Sequence, residues 1–221
     1  AMKTWRRRVL PTGEIRRSAP RRCSRANVEA FIAAQKPWLA ERLAEWEART
    51  PSGRRRIALE EGAWLRVLGR DYRFSIQRAE KPSIALEGNL CSIQNADPGD
   101  GSAVARQFQR WWRQEAKAYY QDLLERYYPA IAPRGVSMPS LHIRRMTRRW
   151  GSCNYQKGRI NLNAYLYATD PACVAYVVVH ELAHLLQPRH DKAFYALVES
   201  ILPDWRSREA LLDREVIPPG F

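Results

Sequence analysis

The sequence predicts an α+β protein, with an N-terminal helix, a small antiparallel β-meander, and a C-terminal lobe that combines a mixed sheet with an apolar helix. Three observations favour this fold class. Apolar residues recur at three- and four-residue steps over 24–48 and over 104–127, which is typical of amphipathic helices. Residues 62–94 instead contain apolar and polar side chains in alternation, which indicates strands. Residues 170–186 combine helix-starting residues with a nearly continuous apolar run.

Turn and linker signals divide the chain. Glycine-containing turns at 69–71 and 87–89 separate the strands of the predicted meander. The segment DPGDGS, residues 97–102, has the composition of a linker. We therefore expect two domains, a basic helix-and-hairpin lobe over 1–96 and a C-terminal lobe over 103–221.

The charge of the chain is strongly positive. The formal net charge of the 221 residues is +14, and residues 1–25 contain nine basic residues against Glu14 alone. Such a segment attracts nucleic acid and other polyanions at low salt. No recognised nucleic-acid-binding motif accompanies the charge. Nucleic acid is therefore one candidate partner, through the basic N-terminal segment.

Composition favours a cytoplasmic protein without a membrane segment. The longest apolar runs are roughly eight residues, whereas a membrane helix needs about twenty. Residues 5–25 contain no apolar core of a signal peptide. The cysteines are far apart and form no CxxC pair, so we expect free thiols rather than a disulfide framework. They are Cys23, Cys91, Cys153 and Cys173.

Two strands are predicted in the C-terminal lobe, LHIRRM (141–146) and RINLN (159–163), with the turn-like segment WGSCNYQKG (150–158) between them. RINLN is also a candidate for a sheet edge that pairs with an extended peptide. His142 is interpreted as an ordinary strand residue.

The apolar helix has clear start and stop signals. Asp170 is the predicted N-cap, and Pro171 suits the first helical position. Pro188 disfavours helical geometry at Gln187, so we expect the helix to end there. Asp191 is the predicted cap of a final helix.

Residues 177–190, VVVHELAHLLQPRH, carry the main chemical signal. Positions i and i+4 share a helix face, so His180 and His184 are expected to point the same way. Glu181 lies beside them, which gives the H-E-x-x-H arrangement of two zinc ligands and a general base. A third protein ligand is needed, and His190 follows the predicted helix end.

Other interpretations remain open. Exposed histidines occur on helices without any metal, although burial of histidine and glutamate among valines and leucines is unfavourable unless something compensates it. Glu199 and Glu209 are alternatives to His190 as third ligand. The spacing equals that of metzincins, but Gln187 occupies their glycine position. Every methionine also precedes the motif, so no Met-turn can follow it.

Several segments together resemble the YgjP-like family of zinc metallopeptidases, which are relatives of the SprT-like proteases. The matching segments are Trp150-Gly151-Ser152-Cys153, Ile160-Asn161-Leu162, the HELxH helix, His190 and Phe194. The resemblance implies a zincin-like metallopeptidase domain over 103–221. It also implies that His180, His184 and His190 hold Zn²⁺ and that Glu181 is catalytic.

We therefore expect a zinc metallopeptidase that hydrolyses peptide bonds in a peptide or protein substrate. A metal-activated water would be the nucleophile, with Glu181 as general base. Tyr195 and Arg189 are candidates for a second oxyanion donor, and Cys153 is a weaker candidate for a ligand or nucleophile. The alternative is a basic nucleic-acid-binding protein with a structural or vestigial zinc site.

Overall fold

The computed structural model describes residues 6–9, 15–18 and 58–218. Near the N-terminus, strands β1 (Arg6–Val9) and β2 (Ile15–Ser18) form an antiparallel pair that the sequence analysis did not predict. The helix predicted over 24–48 lies outside the described residues.

The chain divides into two compact units, residues 1–54 and 55–221. The predicted boundary at 97–102 therefore falls inside the second unit and not between units. Within it, the Asp100 side chain accepts hydrogen bonds from two backbone N–H groups in the first turn of helix α1 (Gly101–Tyr127). A segment with linker composition thus acts as a helix cap.

The first sheet of the second unit is mixed, so the prediction of an antiparallel meander was wrong in one pairing. The strand order is β3-β4-β6-β5, and β4 pairs with β6 in parallel while the outer pairs are antiparallel. Alternation of apolar and polar residues is the same in either pairing, so the pattern could not show which strand is central. The strands are β3 (Trp64–Val67), β4 (Arg70–Arg78), β5 (Ser83–Glu87) and β6 (Leu90–Asn95).

Helix α1 covers this sheet and confirms the predicted apolar stripe as core. The rings of Phe74 on β4 and Phe108 on α1 meet edge to face, with centroids 5.4 Å apart. Both rings are fully buried, so the sheet and the helix share one core across the 97–102 segment. The buried residues of α1 recur every three or four positions; they are Val104, Phe108, Trp112, Ala116, Tyr120, Leu123 and Leu124.

The second sheet confirms the predicted mixed sheet of the C-terminal lobe. It contains β7 (Ser140–Arg144), β8 (Gly151–Asn154) and β9 (Arg159–Asn163) in the order β7-β9-β8. Strand β9 pairs in parallel with β7 and antiparallel with β8. RINLN therefore forms the central strand, and the expectation that it forms the sheet edge was wrong. In agreement with this position, its side chains Ile160 and Leu162 are fully buried. The edge strand is β8, within the segment predicted as a turn.

Three helices follow the second sheet: α2 (Pro171–Ala183), α3 (Lys192–Ile201) and α4 (Trp205–Leu212). The predicted caps are confirmed, since the side chains of Asp170 and Asp191 accept hydrogen bonds from the first turns of α2 and α3. Among the described residues, no helix has the length and apolarity needed to cross a membrane.

Helix α2 ends earlier than predicted, at Ala183 instead of Gln187. The chain then tightens into i→i+3 turns, in which Leu185 N–H bonds to the Leu182 carbonyl and Leu186 N–H to the Ala183 carbonyl, both at 3.1 Å. Pro188 explains why the helix cannot continue past Gln187. The tightened turn makes the helix end about one turn earlier, at Ala183.

Asn163, the last residue of β9, fixes the loop that precedes β8. Its fully buried side chain donates from Nδ2 to the carbonyls of Met146 and Arg149, each at 2.8 Å. Its backbone N–H donates to the carbonyl of Trp150 at 2.8 Å, and its Oδ1 accepts from Tyr165 N–H. One side chain therefore satisfies several backbone groups that no regular ladder reaches.

We predict that Asn163→Ala lowers the free energy of unfolding by about 2–4 kcal/mol, because it removes the partners of two carbonyls and one N–H. Asn161→Ala is the matched control on the same strand, since it loses only a part-buried hydrogen bond to Ser152 Oγ. Its expected loss is about 1 kcal/mol. Urea unfolding of both variants measures the difference, and equal losses would contradict the role given to Asn163.

Candidate metal centre

The structure brings the three predicted histidines together. Helix α2 places His180 and His184 on one face, with ring centroids 4.9 Å apart. His190 returns after the turn so that its Nε2 lies 2.9 Å from Nε2 of His180. One ring nitrogen from each of the three lies within 4.8 Å of the others. Rings from two adjacent helical turns and one following loop therefore converge on a single point.

A backbone carbonyl sets the orientation of His184. Its Nδ1 lies 3.0 Å from the carbonyl oxygen of Gln187. A carbonyl only accepts, so Nδ1 carries the proton and the lone pair is on Nε2. Gln187 N–H in turn donates to the Ala183 carbonyl at 2.9 Å. The early end of α2 thus supplies the hydrogen bond that fixes the His184 ring, as outer partners of metal-binding histidines commonly do.

Burial keeps two of these rings neutral. Burial, with the neighbouring His184 and His190, lowers the pKa of His180 from its ordinary value to about 3. Burial is also the largest cause that lowers the pKa of His184. Both rings therefore keep a lone pair at neutral pH, which is the form that binds a metal ion.

Phe194 packs against all three imidazoles. The centroid of its ring lies 4.9 Å from that of His180, 4.6 Å from that of His184 and 4.7 Å from that of His190. Phe194 is fully buried on α3, directly after the Asp191 cap. Its ring is an apolar surface against which the three imidazoles pack. The sequence predicted Phe194 only as part of the family resemblance and gave it no such role.

Glu181 is buried beside the histidines. It is 5% exposed, and burial raises the pKa of its carboxyl to about 8, against an opposing effect from the charge of Arg149. Its Oε2 has no hydrogen-bond partner among residues 58–218. Since buried polar atoms are normally paired, this oxygen indicates a polar group or water that belongs at the site.

Edge strand β8 lies directly against Glu181. A Cβ atom built on Gly151 would lie 2.5 Å from Oε1 of Glu181 and 2.9 Å from its carboxyl carbon. No side chain fits there without displacing the carboxylate. Glycine in the WGSC motif is therefore required by close approach, which the interpretation of this motif as a turn did not reveal.

The alternative ligands have other partners. Glu199 Oε1 lies 2.6 Å from Arg206 Nη1, and Glu209 Oε1 accepts a 2.6 Å hydrogen bond from the Tyr176 hydroxyl. Burial and the Glu181 charge raise the pKa of the Cys153 thiol to about 12, which makes it a poor nucleophile, and Cys153 is not a member of the histidine group.

The candidate oxyanion donors are less constrained. Tyr195 packs its ring on Trp205, with centroids 5.0 Å apart, and lies 6.3 Å from the His190 ring. Arg189 is exposed. The oxyanion role of either residue stays a prediction.

The donor set fits a divalent metal ion. Imidazole nitrogens are ligands that zinc and similar ions prefer. Three of them lie together here, and two belong to rings with depressed pKa values. Glu181 directly follows His180 in the chain but is not a member of this group, and its Oε2 has no partner among residues 58–218. The residues present therefore provide a place for an ion.

We predict that Phe194→Leu weakens the affinity for added Zn²⁺ roughly tenfold, because it removes the flat ring that orients the three imidazoles. Leu197→Ala is the control, since it removes buried packing from the same helix without removing this ring. It should reduce stability by about 2–4 kcal/mol and leave Zn²⁺ affinity unchanged. Competition titration with a chelating dye measures affinity, and wild-type affinity in folded Phe194→Leu would refute the positioning role.

Comparison with known proteins gives a family for this chain. The crystal structure of the metallopeptidase zymogen of Pyrococcus abyssi abylysin is 28% identical over 43% of this chain and 90% of that chain, with a TM-score of 0.36. No curated protein matches the chain. The family model described as "YgjP-like, metallopeptidase domain" matches residues 3–215, nearly the whole sequence. The chain therefore belongs to the YgjP-like metallopeptidase family.

Proposed function

We propose that the protein is a zinc-dependent endopeptidase in which His180, His184 and His190 hold the ion and Glu181 is the general base. The observation that carries the proposal is the convergence of three imidazoles beside a buried carboxylate whose Oε2 has no partner among the described residues. Structural zinc sites have four protein ligands, whereas three leave one position open for water.

Zinc bound at three imidazoles would lower the pKa of water in the open position and polarise a carbonyl group. The residues of the chain supply the remaining functions. In this proposal the Glu181 carboxylate accepts a proton at Oε2, the oxygen that has no partner among the described residues. The same carboxyl can then deliver that proton to the leaving amine.

The free edge of β8 supports an endopeptidase. Among the described strands, β8 pairs with β9 alone, which makes its other side a candidate for pairing with an extended peptide. Gly151 places this edge in contact with Glu181. A peptide along β8 would pass the carboxylate and continue beyond it in both directions, as cleavage within a chain requires.

Two further expectations belong to this proposal. The free thiols of Cys91, Cys153 and Cys173 fit a reducing compartment, so we place the protein in the cytoplasm. A nucleic-acid partner for residues 1–25 stays a prediction, since their side chains lie outside the described residues.

We predict that His190→Ala loses zinc, because it removes one of three ligands. The affinity for zinc should fall at least a hundredfold, because loss of an outer-shell partner of a ligand alone costs up to about a hundredfold. His142→Ala is the matched control, since His142 lies on β7 and outside the histidine cluster. Metal analysis after dialysis should give about one zinc per chain for wild type and control and almost none for His190→Ala. Full occupancy in His190→Ala would remove it as a ligand.

We also predict that Glu181→Gln keeps its zinc but loses peptidase activity by about 10²–10⁴-fold, because the amide cannot accept the proton. Glu199→Gln is the control, since Glu199 pairs with Arg206 away from the histidines. Cleavage of an unfolded protein substrate, with and without a zinc chelator, provides the measurement. Undiminished cleavage by zinc-loaded Glu181→Gln would contradict the assignment.

A further inference from the structure

An unusually basic loop leads into the edge strand. Residues 145–150 join β7 to β8, and we call this segment, together with the last residue of β7, the arginine loop. Its four arginines are all exposed, and none has an ion-pair partner within residues 58–218. They are Arg144, Arg145, Arg148 and Arg149. These charges are therefore available for a partner.

The backbone of the arginine loop is held in place. Asn163, with a fully buried side chain, donates to the carbonyls of Met146 and Arg149 at 2.8 Å each, and its backbone N–H donates to the carbonyl of Trp150. The guanidinium carbon of Arg145 lies 5.9 Å from the centre of the Tyr165 ring. A pinned backbone reduces the conformational entropy lost when the arginines engage a partner.

The position of the loop relates its charge to the site. Arg149 lies two residues before Gly151, whose backbone touches the Glu181 carboxylate. A peptide paired along β8 and continued past the N-terminal end of that strand would therefore run over the arginine loop. Its side chains there would meet guanidinium groups that have no ion-pair partner among the described residues, and such groups recognise carboxylates with directed hydrogen bonds.

We propose that the arginine loop selects peptide substrates that carry aspartate or glutamate beyond the N-terminal end of β8. This inference rests on the proposed peptidase function and specifies its substrate class. A peptide fits the observations better than nucleic acid does, because the charged loop continues into a free strand edge. That edge offers N–H and C=O groups at the spacing of an extended polypeptide, and a phosphate backbone has no matching ladder.

The test compares amidated fluorogenic peptides that share one cleavage sequence. Each peptide carries a block of Glu, Gln or Lys, and each block is placed either before or after the cleavage sequence. For wild-type, zinc-loaded enzyme, one placement should give a Glu-to-Gln ratio of kcat/KM of about five to ten, the size expected for two exposed ion pairs. The ratio should decline toward one as salt rises.

Variants of Arg148 and Arg149 locate the preference. The double change Arg148→Gln/Arg149→Gln should bring the ratio close to one, and Arg148→Glu/Arg149→Glu should invert it in favour of the Lys peptide. The charge-matched control is Arg110→Gln/Arg113→Gln on α1, where Arg110 lines a separate cavity with Pro82 and Asn95. The control should keep the wild-type ratio. A wild-type ratio near one, or an unchanged ratio in the Glu variant, overturns the inference.

Binding to zinc-loaded Glu181→Gln separates this inference from the peptidase proposal. Fluorescence anisotropy should show that this variant binds the Glu peptide more tightly than the Gln peptide. The difference should disappear when Arg148→Gln and Arg149→Gln are added to the same variant. If no peptide is cleaved by wild type but this preference remains, the peptidase proposal fails and acidic-peptide recognition stands. If peptides bind without preference while a single-stranded oligonucleotide binds through Arg148 and Arg149, the inference is overturned in favour of nucleic acid.

Discussion

The packing of three imidazoles on one phenylalanine ring is the constraint on which the site depends. Phe194 is in place because Asp191 caps α3 at the residue after His190, so a single cap positions both His190 and the ring that packs against it. The tightened end of α2 then determines the approach of the chain from the other side, through the hydrogen bond from His184 to the Gln187 carbonyl. The separation of 2.9 Å between the ring nitrogens of His180 and His190 follows from these two local structures acting together.

Burial gives this arrangement its chemistry and also makes it unfavourable without an ion. Neutral imidazoles face one another, and the Glu181 carboxyl has an oxygen that no described group satisfies. Such groups reduce stability unless they acquire partners, so an ion and its water would stabilise the folded chain while completing the site. The close approach of Gly151 adds a second restriction, because a side chain at position 151 would overlap the Glu181 carboxylate. The proposed function thus depends on polar groups whose partners the described residues do not supply.

Local signals in the sequence predicted the caps and the grouping of the three histidines well. The spacing of His180 and His184 is a property of any α-helix, and Asp170 and Asp191 act through their own nearest N–H groups, so neither needs knowledge of the tertiary fold. The parallel pairing of β4 with β6 could not be predicted, because alternation does not distinguish neighbours. Strand β8 was missed because its four residues begin at a glycine that makes room for Glu181, and close packing of that kind has no local pattern. The role of Phe194 likewise arises only when two helices and a loop meet.

X-ray absorption spectroscopy at the zinc edge of the zinc-loaded protein identifies the ligand atoms themselves. Coordination by His180, His184 and His190 should give nitrogen and oxygen scatterers at about 2.0–2.1 Å, with the outer-shell pattern of three imidazole rings. A sulfur scatterer at about 2.3 Å, which would implicate a cysteine such as Cys153, or a pattern of only two imidazoles would contradict it.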